Sequence, residues 1–314
     1  MVERAKKQKR LVRKVIEYRH CYYFVAPLLI LVLAFVVYPI LESLRMCFYE
    51  WRSIGHPVGY VGLENFYRIA RDALFWRCFG HSVIYTFTLV PIQLTFALLL
   101  ALILNNPKLR GRNTYRALFF VPVVTTPAVI GIVFWMLLRP NEGVITVLLG
   151  GLHLIDRGKD LLGSKDTALA CIIAVGIWQT LGYNMVYFLA GLQTIPSEIY
   201  EAADIDGAGK WTKLRHVTLP MLKPVVIVIT LLAILGSLRV FDLVKVMTNG
   251  QPADASNVVT LYIYNYAFPN PQTEIEASVG LAAAAAFFMG ILTLGLTGIQ
   301  VAVGRKLSGR RKGA

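Results

Sequence analysis

Six long apolar runs, separated by polar segments, dominate the pattern of hydrophobic and polar positions along this chain. A helix needs about 20 apolar residues to cross a hydrocarbon core about 30 Å thick, and these runs are close to that length. Backbone groups must be satisfied inside lipid, and the runs do not alternate as the strands of a barrel do. The sequence therefore predicts six transmembrane helices, at about residues 23–41, 82–104, 117–138, 168–192, 225–241 and 279–303.

The polar segments between these runs are too short to form a soluble domain with its own core. We therefore predict an all-α fold, a polytopic bundle of six transmembrane helices that forms one domain over residues 21–304. A basic arm, residues 1–20, precedes the bundle, and a basic tail, residues 305–314, follows it. The first run lacks a small-residue cleavage site before the charges resume at Glu42, so we expect it to remain as a span.

The distribution of the 32 Lys and Arg residues predicts the orientation of the bundle. The first 19 residues hold eight of them, segments 105–116 and 191–223 hold four each, and the tail holds five. The segments on the opposite side hold five, four and one. Because basic residues are enriched in cytoplasmic loops, we expect both termini and residues 193–222 to face the cytoplasm. Topology and anionic lipid then explain the net charge of +14, and we expect no nucleic-acid partner.

The polar segment between the fourth and fifth runs, residues 193–222, predicts a helix, a turn and a second helix. Pro196 and Glu198 suit the start of a helix, and Gly207 is suited to end it. A second helix begins near Trp211 and leads back into the membrane. We call residues 193–222 the elbow. Its candidate functional residues are Glu198, Glu201, Ala202, Ala203, Asp204, Asp206, Gly207, Leu219 and Pro220.

The elbow resembles the EAA loop of ABC importer permeases. Glu201-Ala202-Ala203 matches the triplet that names this loop, Gly207 follows four residues after the last alanine, and Leu219-Pro220 completes the pattern. The resemblance implies the type I ABC importer permease fold. It also implies that the elbow receives movement from an ATPase that resides in a separate subunit.

Other segments are similar to permeases of the maltose- and glycerol-phosphate-type carbohydrate group. They lie in the first span, the third span and the end of the fifth span, and include Tyr38-Pro39, residues 113–122 and Phe241-Asp242. The group's usual Gly-Gly-Pro is replaced within residues 249–252, and its Asn-Thr before the second span is His81-Ser82 here. Both departures lie on the expected external side, so they bear on the solute and not on the family.

The resemblance implies a set of partners and a location. The partners are a second, related permease subunit, two ATP-binding cassette ATPase subunits and an extracytoplasmic solute-binding protein. ATP and magnesium would bind to the ATPase subunits, and we expect no cofactor bound directly to this chain. The location would be the cytoplasmic (inner) membrane of a bacterium or archaeon. There the chain would import a sugar, oligosaccharide or polyol derivative by alternating access.

The sequence predicts no catalysis in this chain. No GxxxxGK[ST] loop is present, so the chain lacks that means of holding ATP phosphates. The five histidines show no spacing typical of a metal site, and we expect no bound metal. We therefore expect a transport subunit that is not itself an enzyme.

Polar residues inside the apolar runs are candidates for the solute path, because such residues are costly in lipid. In the fourth run Gln179, Tyr183 and Tyr187 recur every four residues and share one helix face. These groups contact a solute or form hydrogen bonds between helices. Arg239 pairs with Asp242 or contacts an anionic group of the solute. The candidates are Trp178, Gln179, Tyr183, Asn184, Tyr187, Arg239 and Asp242.

Several alternatives remain open from the sequence alone. The importer could carry an amino acid or a peptide instead of a carbohydrate. An ion-coupled secondary transporter predicts carboxylates deep within the spans, and a membrane enzyme predicts a catalytic cluster at one membrane face; the sequence shows neither. The aromatic residues between 262 and 268 suit the membrane interface or stacking on a sugar ring. A disulfide between Cys47 and Cys78 also remains open.

Overall fold

The computed structural model describes residues 18–52, 57–156, 158–268 and 276–309, which form a bundle of helices. Most of the predicted basic arm, residues 1–17, lies outside the described residues, as do residues 310–314 of the tail. The first described helix begins at Arg19, within the predicted arm, and the last continues to Gly309, within the predicted tail.

The described helices are numbered here in chain order. The first group comprises α1 (Arg19–Val32), which continues through a π-helical turn (Leu33–Val37) into α2 (Tyr38–Met46), then α3 (Glu64–Arg71), α4 (Ala73–Leu104), α5 (Arg112–Val124), α6 (Pro127–Leu137), α7 (Val144–Gly151) and α8 (Ala168–Gln193). The second group comprises α9 (Ser197–Ile205), α10 (Lys210–Lys213), a π-helical turn (Leu214–Thr218), α11 (Leu219–Ser237), α12 (Asp242–Met247), α13 (Val259–Ala267) and α14 (Val279–Gly309). Two short strands, β1 (Tyr49–Glu50) and β2 (Gly59–Tyr60), pair antiparallel.

The described residues contain five helical stretches long and apolar enough to cross a membrane, and a bent helix pair supplies a sixth. The five are His20–Met46, Ala73–Leu104, Ala168–Gln193, Lys210–Met247 and Val279–Ala302, and the pair is α5 with α6. The all-α fold is therefore confirmed, with the spans in the predicted order. The second span begins earlier than predicted, because the Asp72 carboxylate accepts the N–H of Leu74 at 2.8 Å and caps α4 at Ala73.

The third predicted span, residues 117–138, is wrong as a single helix. The chain bends by 96° between α5 and α6. Thr125 and Thr126 have extended backbone conformations, and Pro127 is the first residue of α6. Proline offers no N–H and disfavours the helical conformation in the residue before it, so α5 cannot continue through this point.

The fifth span is longer than predicted and is joined to the elbow. The chain is helical from Lys210 to Ser237, with the π-helical turn between α10 and α11. Pro220 lies directly after that turn, where the regular hydrogen-bond ladder of an α-helix is already interrupted. The second arm of the elbow and the fifth span are therefore one continuous helical segment.

Helix α8 lies at the centre of the bundle and packs against α4, α5 and α11. Its glycines permit close approach of two neighbours. A Cβ atom at Gly182 would lie 2.0 Å from the carbonyl oxygen of Phe119 in α5. A Cβ atom at Gly176 would lie 2.3 Å from the hydroxyl of Tyr85 in α4. Small residues thus set the helix spacing here, as they commonly do in membrane bundles.

At the end of the bundle opposite the elbow, a second cluster of buried residues joins α3, α4, α13 and α14. Cys47 and Cys78 are both buried there as free thiols, so they form no disulfide. Tyr262 is only 1% exposed and donates a hydrogen bond to Asp72. Burial and this hydrogen bond hold the pKa of Tyr262 far above its usual value. The interface expectation is therefore wrong for Tyr262, which is a core residue.

Helix α1 differs from the other long helices in its burial. In the stretch His20–Met46, which begins with α1, none of the most apolar 18 residues is buried. In the other four long stretches, 17–44% of the corresponding residues are buried. Phe24 and Leu28, for example, are 86% and 63% exposed. The α2 segment that follows packs on α14, whereas α1 leaves nearly its whole apolar surface uncovered.

Candidate functional site

A cavity of about 350 Å³ lies inside the bundle, between α4, α8, α11 and the bend that joins α5 to α6. The α8 part of its wall, residues 179–184, lies near the middle of that helix. Apolar side chains such as Leu89 and Phe241 form much of the wall. Its polar members are Tyr85, Gln93, Gln179, Thr180, Tyr183, Asn184, Ser237, Arg239 and Asp242. Hydrogen-bonding groups on an apolar background are typical of a small-molecule site.

The structure brings most of the sequence candidates for the solute path together at this cavity. Gln179, Tyr183, Asn184, Arg239 and Asp242 all line it, whereas two other candidates do not. Trp178 packs against Phe134, with ring centroids 5.4 Å apart. Tyr187 shares a hydrogen bond with the hydroxyl of Tyr183. Tyr187 is thus connected to the cavity only through Tyr183, and Trp178 belongs to the contact between α6 and α8.

Hydrogen bonds between polar residues hold three walls of the cavity together. Thr180 of α8 donates to the side-chain oxygen of Gln93 in α4. Ser237 of α11 lies 3.0 Å from the hydroxyl of Thr86 in α4. Helix-to-helix bonding, one of the two sequence alternatives for the polar residues of the fourth run, thus occurs at Thr180. Among the described residues, Gln179, Tyr183 and Tyr187 form no side-chain hydrogen bond to another helix. The bonds of Thr180 and Ser237 converge on α4 and fix the shape of the cavity.

Gln179 differs from these cross-linking residues. It is 8% exposed and makes no side-chain hydrogen bond to any residue in the described part of the chain. Its amide therefore presents a donor and an acceptor to the cavity. Asn184, one turn further on, donates to the carbonyl oxygen of Thr180 at 3.2 Å.

Arg239 and Asp242 border the cavity where α11 gives way to α12. Among the described residues, neither forms an ion pair with the other or with a third side chain, which contradicts the pairing alternative. Asp242 is the first residue of α12, and a carboxylate is stabilised at that end of a helix. Arg239 has no comparable structural role. Its guanidinium is therefore available to a solute.

Sequence reasoning missed Tyr85, Gln93 and Ser237. The signal for Gln93 was present, because an amide inside an apolar run is uncommon, and this one is 2% exposed. Tyr85 and Ser237 gave no such signal. Tyr85 reaches its position only because Gly176 has no side chain, and a lone serine in a span is ordinary.

The elbow forms the predicted helix, turn and second helix. Helix α9 ends at Ile205, Gly207 follows with φ +72°, and α10 begins at Lys210. Lys213 bridges to Asp204 at 2.6 Å across the turn. The hydroxyl of Tyr200 lies 3.0 Å from that of Thr218, at the base of α11. These bonds join the first arm of the elbow to the second arm and to the base of the fifth span.

The surface of the elbow combines exposed acids with exposed apolar side chains. Glu198, Glu201, Ala202 and Asp206 are exposed, and Ala203 is half-buried. Ile205 and Trp211 are 89% and 73% exposed. Ile205 was not among the sequence candidates, although an isoleucine between two aspartates was a visible signal. Two large apolar side chains therefore project from an otherwise polar surface.

A helical membrane bundle with a polar internal cavity and a projecting polar elbow defines the class of protein as a membrane permease. The chain belongs to the family of binding-protein-dependent transport system inner membrane components, which matches residues 93–309. It is therefore a multi-pass permease component of an ABC transport system.

Curated relatives extend the likeness over most of the chain. The chain is 38% identical to a lactose transport system permease protein of Rhizobium radiobacter, over 78% of this chain and 82% of the relative. It is 31% identical to an arabinooligosaccharides transport system permease protein of Bacillus subtilis, over 93% and 89%. It is also 31% identical to a trehalose/maltose transport system permease protein of Thermococcus litoralis, over 90% and 93%.

Solved structures agree with the fold. A bacterial ABC transporter involved in import of the acidic polysaccharide alginate matches with a TM-score of 0.81 at 22% identity, over 95% of this chain and 99% of that chain. The alginate transporter in complex with an alginate pentasaccharide-bound periplasmic protein matches equally well, over 95% and 98%. The chain therefore has the type I ABC importer permease fold.

Proposed function

We propose that this chain is the permease subunit of an ATP-driven, binding-protein-dependent importer for a sugar, oligosaccharide or polyol derivative. The observation that carries the proposal is the internal cavity, where Gln179, Asn184 and Tyr183 offer hydrogen bonds and Phe241 offers an aromatic face. Such groups suit the hydroxyls and the apolar face of a sugar better than they suit an ion. The relatives named for lactose, arabinooligosaccharides and trehalose or maltose support the same class of solute.

The proposed orientation places both termini and the elbow in the cytoplasm. The excess of Lys and Arg in the segments on that side supports it. The membrane is then the cytoplasmic membrane of a bacterium or archaeon. The strands β1 and β2 and helix α3 face the external side, opposite the elbow.

A second, related permease subunit is part of the proposal. The uncovered surface of α1 supports it, because the other long helices of the described chain bury part of their apolar residues within the bundle. The cavity also supports a neighbouring subunit, because its boundary residues Tyr183 and Arg239 are exposed in the single chain. Alternating access would then occur between the two subunits.

Two ATP-binding cassette subunits supply the energy in this proposal. They bind ATP and magnesium, and this chain contributes the elbow. Ile205 and Glu201 project from α9, and a groove on the ATPase would cover them. Because α10 is continuous with α11, displacement of the elbow moves the α11 wall of the cavity.

The coupling role is tested with Ile205→Ala in the complete importer, reconstituted with its ATPase and binding protein. We expect reduced co-purification of the ATPase, and we expect uptake and stimulated ATP hydrolysis to fall together. Leu152→Ala is the matched control, because Leu152 is 68% exposed and lies far along the chain from the elbow. Full uptake and hydrolysis with Ile205→Ala would remove the elbow from the coupling path.

The solute class is tested separately, by uptake of labelled saccharides, amino acids and dipeptides in the same vesicles. We expect uptake of a saccharide or polyol, with no competition from amino acids or dipeptides. Uptake confined to an amino acid or a peptide would contradict the proposed solute, while leaving the permease assignment intact.

A further inference from the structure

We infer that an arginine patch on α3 is the surface on which carboxylates of the external solute-binding protein dock. The patch comprises Tyr67, Arg68 and Arg71, beside a cavity of about 590 Å³ at the end of the bundle opposite the elbow. The inference rests on the proposed function, which supplies the binding protein and the external orientation of this end. It adds the place and the chemistry of the contact.

Helix α3 is held in one orientation by its inner face. The side-chain amide of Asn65 donates to the carbonyl oxygens of Cys47 at 2.9 Å and Tyr49 at 3.0 Å. Ile69, four residues on, is fully buried. Because residues four apart share one helix face, Asn65 and Ile69 anchor α3 to the bundle. Arg68 and Arg71 lie three apart on the exposed face, so the fold presents both outward.

The guanidinium groups of the patch have no acidic partner among the residues that the structure describes. Over the ranges that the structure describes, neither Arg68 nor Arg71 forms an ion pair. The carboxylate of Asp72 is already engaged by the N–H of Leu74 and the hydroxyl of Tyr262. Glu64 lies four residues before Arg68, a spacing that permits pairing, but is not within ion-pair distance of it.

Three other arginines on the same side of the bundle do have acidic partners. Arg45 pairs with Glu42 at 2.9 Å, Arg52 with Glu50 at 2.7 Å, and Arg139 with Glu142 at 3.4 Å. Arg77, exposed near the start of α4, forms no ion pair among the described residues. Arg68 and Arg71 are distinguished by lying three apart on one exposed helix face, where a single acidic surface can contact both guanidinium groups.

The residue types of the patch fit a protein surface that carries carboxylates. Arginine binds a carboxylate through two parallel hydrogen bonds, and arginine and tyrosine are enriched among the residues that dominate interface energies. Tyr67 is 58% exposed beside the arginines. An anionic lipid headgroup presents related chemistry, and Glu274 of this chain lies outside the described residues. The experiment therefore separates these two sources from the binding protein.

The experiment uses the complete importer in phosphatidylcholine nanodiscs, with Arg68→Gln and Arg71→Gln combined. Stimulation of ATP hydrolysis is measured against the concentration of the importer's own solute-binding protein. We expect the half-maximal concentration to rise about tenfold at low salt, because neutralising charges at an interface weakens association. The maximal stimulation should stay the same, and the salt dependence should become flatter. Arg52→Gln is the matched control, since its guanidinium already has a partner, and should leave the half-maximal concentration unchanged.

Three results would overturn the inference. The first is an unchanged half-maximal concentration in the double variant. The second is a shift seen only when phosphatidylglycerol is added to the nanodiscs, which would assign the patch to lipid. The third is an equal shift with Glu274→Gln alone, which would assign the arginines to a contact within the chain. Failure of the proposed function is distinguishable, because the unaltered importer would then show no stimulation by the binding protein.

Discussion

The contact between α5 and α8 depends on the absence of a side chain at Gly182. A Cβ atom there would lie 2.0 Å from a backbone oxygen, and backbone cannot rotate away as a side chain can. We predict that Gly182→Ala lowers stability by about 1–3 kcal/mol or more, as overpacking does. This loss should exceed the gain of about 1 kcal/mol that alanine brings to a helix. The measurement is the thermal unfolding midpoint in detergent.

The control for this prediction is Gly80→Ala in α4. A Cβ atom at Gly80 would meet nothing within 4 Å, so the only expected effect is the higher helix propensity of alanine. The thermal unfolding midpoint should stay the same or rise. Equal midpoints for the two variants would show that the α5–α8 contact is looser than described.

Arg239 provides a prediction about the solute path. Its side chain lines the cavity and has no acidic partner in the described residues, and we propose that a solute supplies the acceptor. Hydrogen bonds to a charged group contribute about 1.5–3 kcal/mol, so Arg239→Gln should lower the uptake rate by roughly tenfold or more. ATPase subunits should still assemble with the variant. The measurement is solute uptake at saturating binding protein.

Arg139→Gln is the comparison for that variant. Arg139 is also exposed, but it lies outside this cavity, over the ring of Trp135 and beside Glu142. Uptake should remain near that of the unaltered importer. If both variants transported normally, Arg239 would have no place in the solute path.

The sequence identified individual cavity residues where a polar side chain lies within an apolar run. Gln179 and Asn184 were predictable because amides are uncommon in apolar runs. Tyr85 was not, because its position depends on Gly176 in another helix. Spacing could not decide whether Arg239 pairs with Asp242 either. Charged residues three apart form an ion pair in some structures and not in others. Spacing assigns a face of a helix, and packing decides what that face meets.

The turn of the elbow depends on Gly207, which has φ +72°. A left-handed conformation costs an alanine roughly 1–2 kcal/mol, although open space surrounds the site. We predict that Gly207→Ala disturbs the angle between α9 and α10, and lowers uptake and stimulated ATP hydrolysis together. The measurement is both rates in reconstituted vesicles.

Gly209→Ala serves as the matched variant two residues away. A Cβ atom at Gly209 also meets nothing within 4 Å, but its φ of −67° suits any residue. Both rates should stay near those of the unaltered importer. Equal losses at Gly207 and Gly209 would argue against a role for the turn geometry.

Elements were predicted well where one apolar run makes one straight helix, as in α8. They were predicted poorly where the run contains a break. The bend at Pro127 lies inside a run that stays apolar on both sides, so hydropathy alone reads it as one span. The join of α10 to α11 was missed for the opposite reason. Polar residues and Pro220 suggested a boundary, whereas the π-helical turn carries the helix through them.

The proposed importer extends beyond the single chain, and three exposed features of this chain support that proposal. Helix α1 is uncovered, the cavity has exposed residues at its boundary, and Ile205 projects from the elbow. The order of spans and the place of the elbow were readable from the sequence. The surfaces that we propose to meet other subunits were not, because an apolar residue that faces lipid and one that faces a partner look alike in a sequence.

The central claim is that ATP hydrolysis in separate subunits drives solute through this permease by way of the elbow. The most direct measurement is uptake by vesicles that contain the complete importer and internal ATP, with and without ATPase subunits able to hydrolyse it. We predict that uptake requires hydrolysis and persists when an uncoupler collapses ion gradients at constant ATP. Uptake that continues without a hydrolysing subunit, or that stops with the uncoupler alone, would contradict the account.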